Sequence, residues 1–380
     1  MEAAAALKIL TDLIQIQSVN DSEAQVADYL ATLFADQKAT VEHVTYAPGR
    51  DNLVVTIGDH GPMLGFSGHE DVVAAGDEAA WQYPPFAGTI ANGNVYGRGA
   101  SDMKSGLAAQ VVAMLDLLAT GQSLPGQIRL LASVGEETGE YGAAQLTQAG
   151  YAEALDGLVI GEPSGFDIKV THKGVIDYYV TSVGKSAHSS RPEHGINALD
   201  PLISFATLAE VQMAKNTVVD PVLGGLTHVI SQMQGGEQIN SVPAHAWLSG
   251  NIRTIPAYPN EQVMAQLEAI VQQLNAAGAQ LSIRYSYPEP SLANQADTKL
   301  AKLAADILTN QYHRGGQMTA GTGATDASEY TKAGNLPIII VGPADGLTDH
   351  QVDEKVAVDN YLLGCDFYRT LAERFWATTN

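Results

Sequence analysis

Acidic and imidazole side chains in this chain recur just beyond apolar runs. The first case is Gly68-His-Glu-Asp71, directly after the run Pro62 to Phe66. Side chains of an extended segment alternate, so His69 and Asp71 share a side. An imidazole there could offer a nitrogen to a metal, with Asp71 behind or beside it. The same residues would also suit an ordinary strand-end turn. In Gly97-Arg-Gly-Ala-Ser-Asp102 a carboxylate stands where a loop enters a helix, and a helix N-cap is its simplest use. Gly135-Glu136-Glu137-Thr-Gly139 follows the strand-like run Gln127 to Val134. Adjacent carboxylates repel unless they point apart or share a cation; a solvated acidic loop is the alternative. Gly161-Glu162-Pro163 closes the run Gly157 to Ile160, and Asp349-His350 lies far along, after Ile338 to Val341.

Each case is weak alone. Together they offer two imidazoles and three carboxylates able to gather at one end of one sheet. So many acids in a dry crevice need cations to neutralise them. Carboxylates with imidazoles and no thiolate suit Zn²⁺, with Co²⁺ or Mn²⁺ as substitutes. The set divides into two sites sharing one carboxylate, the arrangement of a two-metal hydrolase.

The elements that must position these residues can be read from periodicity. Helical patterns cover roughly 2–17, 22–37, 104–119 and 141–148, and strand-like runs occupy 52–57, 63–66, 127–134 and 157–160. Strands separated by helices predict an α/β domain with a mainly parallel sheet covered by helices, whose sites gather at the carboxyl ends of the strands. From 175 to 290 the order changes to βαββαβ, predicting an inserted ferredoxin-like domain. The α/β pattern then resumes with a helix near 298–309, a strand at 337–341 and a final helix from about 357 to 375. The domains expected are therefore 1–174 with 291–380, and 175–290.

Composition narrows the classes. The 380 residues are 45% hydrophobic, ample for two cores. Twenty Lys and Arg against 42 Asp and Glu give a net charge of −22, which argues against nucleic acid and anionic membrane as partners. No apolar run approaches a membrane span. The N-terminus lacks a basic region and a cleavage site, so it reads as an amphipathic helix and not as a signal peptide. The single cysteine, Cys365, rules out internal disulfides and suits a buried helical position. A cytoplasmic location is the expectation.

Seven motifs, in this order, resemble the M20 metallopeptidase and amidohydrolase family, in the branch of succinyl-diaminopimelate desuccinylase and acetylornithine deacetylase. They are Gly68-His-Glu-Asp-Val-Val73, Gly97-Arg-Gly-Ala-Ser-Asp-Met-Lys104, Gly135-Glu-Glu-Thr-Gly139, Gly161-Glu-Pro163, Gly184-Lys-Ser-Ala-His-Ser-Ser190, Asn240-Ser-Val-Pro243 and Asp349-His350. The resemblance implies that His69 and Glu162 bind one zinc, Glu137 and His350 the other, and that Asp102 bridges them with a cis peptide bond after it. It implies that Asp71 hydrogen-bonds the far nitrogen of His69 and that Glu136 is the general base. His188 would steady the oxyanion in a partner subunit's site, making the inserted domain a lid and the assembly a homodimer. Asn240, Arg253 and the loop Gly321 to Asp326, with Gly323 and Thr325, would meet substrate, and His172 and Lys173, at the junction of the two domains, would touch it as well. The activity implied is hydrolysis of an N-acyl amino acid: succinyl-diaminopimelate first, acetylornithine second, a dipeptide or another acylated amino acid third. A binding protein that lost catalysis is the rival from another class, and the presence of Glu136 argues against it. Glu70 and Ser105 depart from the residues common at those positions; neither change removes a ligand.

Overall fold

The computed structural model describes residues 1–321 and 323–379. Thr322, within the expected substrate loop, lies outside them. The chain divides into two compact units: residues Met1–Thr171, Asn294–Ala320 and Thr325 onward form the first, and His172–Ala293 with Gly321–Ala324 form the second.

The first unit begins with helices α1 (Ala3–Gln15) and α2 (Ala24–Phe34), followed by strands β1 (Ala39–Ala47), β2 (Arg50–Ile57), β3 (Met63–His69), β4 (Thr89–Ala91) and β5 (Asn94–Tyr96). Then come α3 (Lys104–Ala119), β6 (Gln127–Ser133), the single turn α4 (Glu136–Gly139), α5 (Tyr141–Gln148), β7 (Gly157–Ile160) and β8 (Ile168–His172). The second unit holds β9 (Gly174–Val183), α6 (Leu199–Met213), the two-residue strands β10 (Val219–Asp220) and β11 (Gly224–Gly225), β12 (Thr227–Gly235), β13 (His245–Thr254), α7 (Asn260–Ala276) and β14 (Leu281–Tyr285). The chain returns to the first unit with α8 (Lys299–Asp306), β15 (Met318–Gly321), α9 (Ala327–Tyr330), β16 (Ile338–Ile340), β17 (Lys355–Ala357) and α10 (Val358–Thr379).

The main sheet of the first unit has the order β1-β2-β6-β3-β7-β16-β8-β15. Its centre is parallel: β3 pairs in parallel with β6 and β7, and β7 with β16. Flanking pairs β1–β2, β2–β6 and β16–β8 are antiparallel. β3 is buried at every position, as a central strand covered on both faces must be. Helix α3 is buried along most of its length and packs between α1 and α10 against β3. Its Gly106 lies so close to the chain after β7 that a Cβ would stand 1.8 Å from the Gly161 carbonyl oxygen. A small sheet, β17-β5-β4, joins two distant segments of this unit.

In the second unit four antiparallel strands take the order β12-β13-β9-β14. Alternate β9 residues Ile176, Tyr178 and Val180 face a core shared with Leu202 and Phe205 of α6 and Val263 and Leu267 of α7. β12 is an edge strand. Among the described residues no helix is long and apolar enough to cross a membrane.

Candidate metal centre

Four neighbouring parallel strands, β6, β3, β7 and β16, end on the same side of the sheet, and each is followed by one expected ligand. His69 is the last residue of β3, Glu137 lies in the turn after β6, Glu162 comes two residues after β7, and His350 follows β16. Asp102 precedes α3. Its Oδ1 is 3.1 Å from His69 Nε2, which is itself 3.5 Å from Glu162 Oε1. Its Oδ2 is 3.4 Å from His350 Nε2, and that nitrogen is 3.0 Å from Glu137 Oε2. His69, Asp102 and Glu137 each offer an atom within 4.8 Å of the others. All five expected ligands are thus brought together as two His/Glu pairs, one on each oxygen of Asp102. The Asp102–Met103 peptide bond is cis. His350 sits at φ +60°, a left-handed conformation uncommon outside glycine that functional sites often hold.

Asp71 departs from expectation. His69 Nδ1 donates to the backbone carbonyl of Asp71 at 2.9 Å, while the nearer carboxylate oxygen stands 3.6 Å away. The carboxylate is engaged elsewhere: Oδ1 accepts the amide of Glu136 at 3.2 Å and Oδ2 that of Glu137 at 3.1 Å. These amides open α4 and have no partner inside that helix, so a carboxylate is their natural acceptor. Either way His69 Nδ1 carries the proton, which leaves the Nε2 lone pair for a cation.

The charge balance agrees with a cationic occupant. Burial would raise Asp102, but hydrogen bonds from His350 and His69 hold it below the usual carboxylate range. His350 is pushed up to about 10 by Asp102 and Glu137. Glu136 and Glu162 are raised well above the carboxylate range, first by burial and then by neighbouring acids, against the charge of His69. In a chain without metal the imidazoles thus serve as the counter-charges. Three carboxylates and two imidazoles, with no thiolate, fit hard or borderline divalent cations shared between two sites.

The other expected residues fall as follows. His188 is exposed in the second unit; its Nδ1 accepts from the Ser190 amide at 3.1 Å, which leaves Nε2 as the nitrogen able to meet a ligand. Ser189 N donates to Asn240 O at 3.0 Å, so His188 and Asn240 lie on adjoining segments. Arg253 is half-buried on β13, between Thr227 of β12 and Val175 of β9. His172 Nδ1 bonds the Lys173 carbonyl at 3.0 Å, and Lys173 Nζ the Gly225 carbonyl at 2.7 Å. Among the described residues, chain neighbours aside, no atom lies within 4 Å of where a Cβ on Gly323 would stand, whereas the Thr325 hydroxyl accepts the Ala327 amide at 3.2 Å at the start of α9. Glu70 is buried, with no hydrogen-bond partner for either carboxylate oxygen among the described residues. Burial, then Glu23 and Asp71, raise it well above the usual range, and none of the expected ligands is among its main electrostatic neighbours. Nearby Lys104 is lowered to about 7 by burial and donates to the Leu13 and Ile16 carbonyls, both at 2.8 Å, at the end of α1.

Two pairings were not legible in the sequence. Asp326, expected only as the end of the substrate loop, is buried and accepts the Ser133 hydroxyl at the end of β6. Arg98 and Glu354 form a buried ion pair beside Asp102. The only local sign of Arg98 was its place between Gly97 and Gly99, the latter at φ +84°.

A model of peptidase family M20/M25/M40 matches residues 65–374. The chain is 35% identical to a Staphylococcus epidermidis protein named "Probable succinyl-diaminopimelate desuccinylase", with 97% of each chain covered. Among solved structures, the M20 family metallo-carboxypeptidase Sso-CP2 of Sulfolobus solfataricus aligns with a TM-score of 0.82 at 17% identity, covering 99% of this chain and 100% of that one. Bacillus subtilis YXEP, described as a dinuclear metal binding peptidase of the M20 family, aligns with a TM-score of 0.70 at 15% identity and 99% of each chain. At such identities the structural likeness is one of fold.

Proposed function

The chain belongs to peptidase family M20/M25/M40 and is a metal-dependent hydrolase; from that premise we propose that it hydrolyses the N-acyl amide of an N-acyl amino acid, with succinyl-diaminopimelate as substrate and two zinc ions bound. The observation that carries the reading is the carboxylate of Asp102, which meets His69 with one oxygen and His350 with the other. His69, Asp102 and Glu162 would hold one cation, and Asp102, Glu137 and His350 the other. When bound, such a pair would polarise the amide carbonyl and acidify the attacking water.

The chain's own residues supply the rest. Glu136 takes a proton from the attacking water and passes it to the departing nitrogen as the carbon–nitrogen bond breaks, leaving a carboxylic acid and an amine. Burial, then neighbouring Glu162 and Glu137, raise its proton affinity, as a proton acceptor requires. Asp71 holds Glu136 and Glu137 through their amides. His188 donates to the oxyanion, and Asn240 and Arg253 meet substrate oxygens, for which a guanidinium fork is well suited. The second unit, with its βαββαβ order, serves as a ferredoxin-like lid and dimerisation domain. In support, β12 is an edge strand and exposes Val229 and Met233, and α6 exposes Ile203 and Val211. A cytoplasmic homodimer follows from this reading.

The test is a hydrolysis screen of N-succinyl-diaminopimelate, N-acetylornithine and dipeptides, with zinc or cobalt and after chelation. Expected is the highest kcat/KM for the succinyl substrate, loss of turnover on chelation and recovery with zinc or cobalt. Unchanged turnover by metal-free protein would overturn the mechanism. A tenfold preference for an acetyl or dipeptide substrate would overturn the substrate assignment alone.

A further inference from the structure

The Arg98–Glu354 pair has no part in the mechanism above, yet it touches the backbone of the bridging residue. Glu354 is completely buried, and Arg98 is 2% exposed. One carboxylate oxygen, Oε2, meets Arg98 Nη1. The other, Oε1, accepts two consecutive amides, Ser101 N at 2.9 Å and Asp102 N at 3.0 Å. The backbone carbonyl of Glu354 accepts Gly97 N at 2.9 Å. Next to it, Lys355 pairs with Tyr96 where β17 joins β5. At the other end of the segment, the Ser101 hydroxyl bonds the carboxylate of Asp349, the residue before His350. Arg98 is held in turn by the Ala74 carbonyl at 3.3 Å and by the Trp81 ring, 5.3 Å from its centroid. The segment 349–354 therefore both carries His350 and fixes the backbone of 101–102.

We propose that Glu354 is a positioning residue for the metal centre: by accepting the Ser101 and Asp102 amides it sets where the Asp102 carboxylate stands relative to His350. The inference rests on the reading of Asp102 as the shared ligand. An ion pair kept for stability alone would need only Arg98. Here half of the carboxylate is given to the peptide groups that carry a ligand. Groups that orient ligands in this way typically change metal affinity 10- to 100-fold when removed.

Two neutral pairs of similar volume separate the roles. Arg98→Met with Glu354→Gln removes both buried charges but keeps an oxygen that accepts the amides. Arg98→Met with Glu354→Met removes that acceptor as well. Cobalt titration followed by its visible absorption, together with hydrogen exchange of the 97–106 segment in chelated protein, reads the outcome. Expected is cobalt affinity within about threefold of the parent for the Gln pair. The Met pair should bind at least tenfold more weakly, with an altered cobalt spectrum and faster exchange in 97–106 before any metal is added. Equal affinities and equal exchange in two folded pairs would overturn the role of Glu354. Failure of the parent itself to bind cobalt would instead remove the site reading, and this proposal with it. If the Met pair does not fold, Glu354→Asp takes its place. One methylene shorter, it cannot reach the amides while paired with Arg98, and parental affinity and exchange there would equally overturn the proposal.

Discussion

A carboxylate that accepts backbone amides fixes a segment of chain, and Asp71 fixes the segment holding both a proposed ligand and the proposed base. Its spacing from His69 made the shared location legible in the sequence. Its true partners were not, because the Glu136 and Glu137 amides lie in α4, some 65 residues along the chain. With Glu137 turned to His350 and Glu136 left for the water, Glu136→Gln should bind two metal equivalents as the parent does while kcat falls by about 10²–10⁴. Metal analysis beside steady-state kinetics checks it, and near-parental turnover would remove Glu136 as the base. Asp326 gives a pH prediction. Burial pushes it up to about 7 from an ordinary 3.8, against the Ser133 hydrogen bond and the charge of His69. A folded value above the unfolded one means that this contribution is full below about pH 4 and is lost as pH rises through 7. Chelated wild type should therefore lose stability relative to Asp326→Asn between pH 4.5 and 7, at up to about 1 kcal/mol per pH unit. Parallel urea-unfolding free energies for the two proteins across that range would contradict it.

Elements deliver the proposed ligands through a row of strand ends, so the register of β6, β3, β7 and β16 is part of the proposed site. Gly106 keeps α3 close to this row. In Gly106→Ala the new methyl would meet the Gly161 carbonyl, a backbone atom that no rotamer change can move. Either α3 or the chain at Gly161, just after β7 and next to Glu162, must shift. Overpacking of this kind costs about 1–3 kcal/mol or more. Urea denaturation should register the loss, and cobalt titration should show weakened binding; unchanged values in both would mean that the contact relaxes freely. The helices at 104–119 and 141–148 and the strand at 157–160 were legible because apolar periodicity is local, and they occur with those bounds. β1 was not, since its alternation places polar and half-exposed residues on an edge. The β17-β5-β4 sheet was hidden for another reason: Lys355 pairs with Tyr96 across most of the chain, and no local pattern encodes that. The same distance concealed the partnership of Arg98 and Glu354.

At the scale of the whole molecule, every proposed metal ligand belongs to the first unit and His188, Asn240 and Arg253 to the second. The family resemblance made this division of labour visible in the sequence; composition alone gave only two domains and an acidic surface. The homodimer proposed through β12 predicts a sedimentation mass near twice 40.1 kDa for the parent. Charges on the open edge, as in Val229→Glu with Met233→Glu, should shift it towards the monomer without disturbing the core, because both side chains are exposed. A parent that sediments as a monomer at micromolar concentration would contradict the assembly.

The route by which the chain leaves and re-enters the first unit has a consequence for the order of synthesis. Outgoing and returning segments lie side by side: Gln295 N meets the Val170 carbonyl at 2.8 Å, and Leu292 N meets that of His172 at 3.1 Å. A growing chain has made His69, Asp102, Glu137 and Glu162 before the second unit begins, and it reaches His350 only after the whole insertion. The strands and helices of the second unit form one uninterrupted stretch and have their own core, so they can fold during that interval. In the two-cation centre proposed above, the second half cannot be completed until His350 emerges, after the whole insertion has been made.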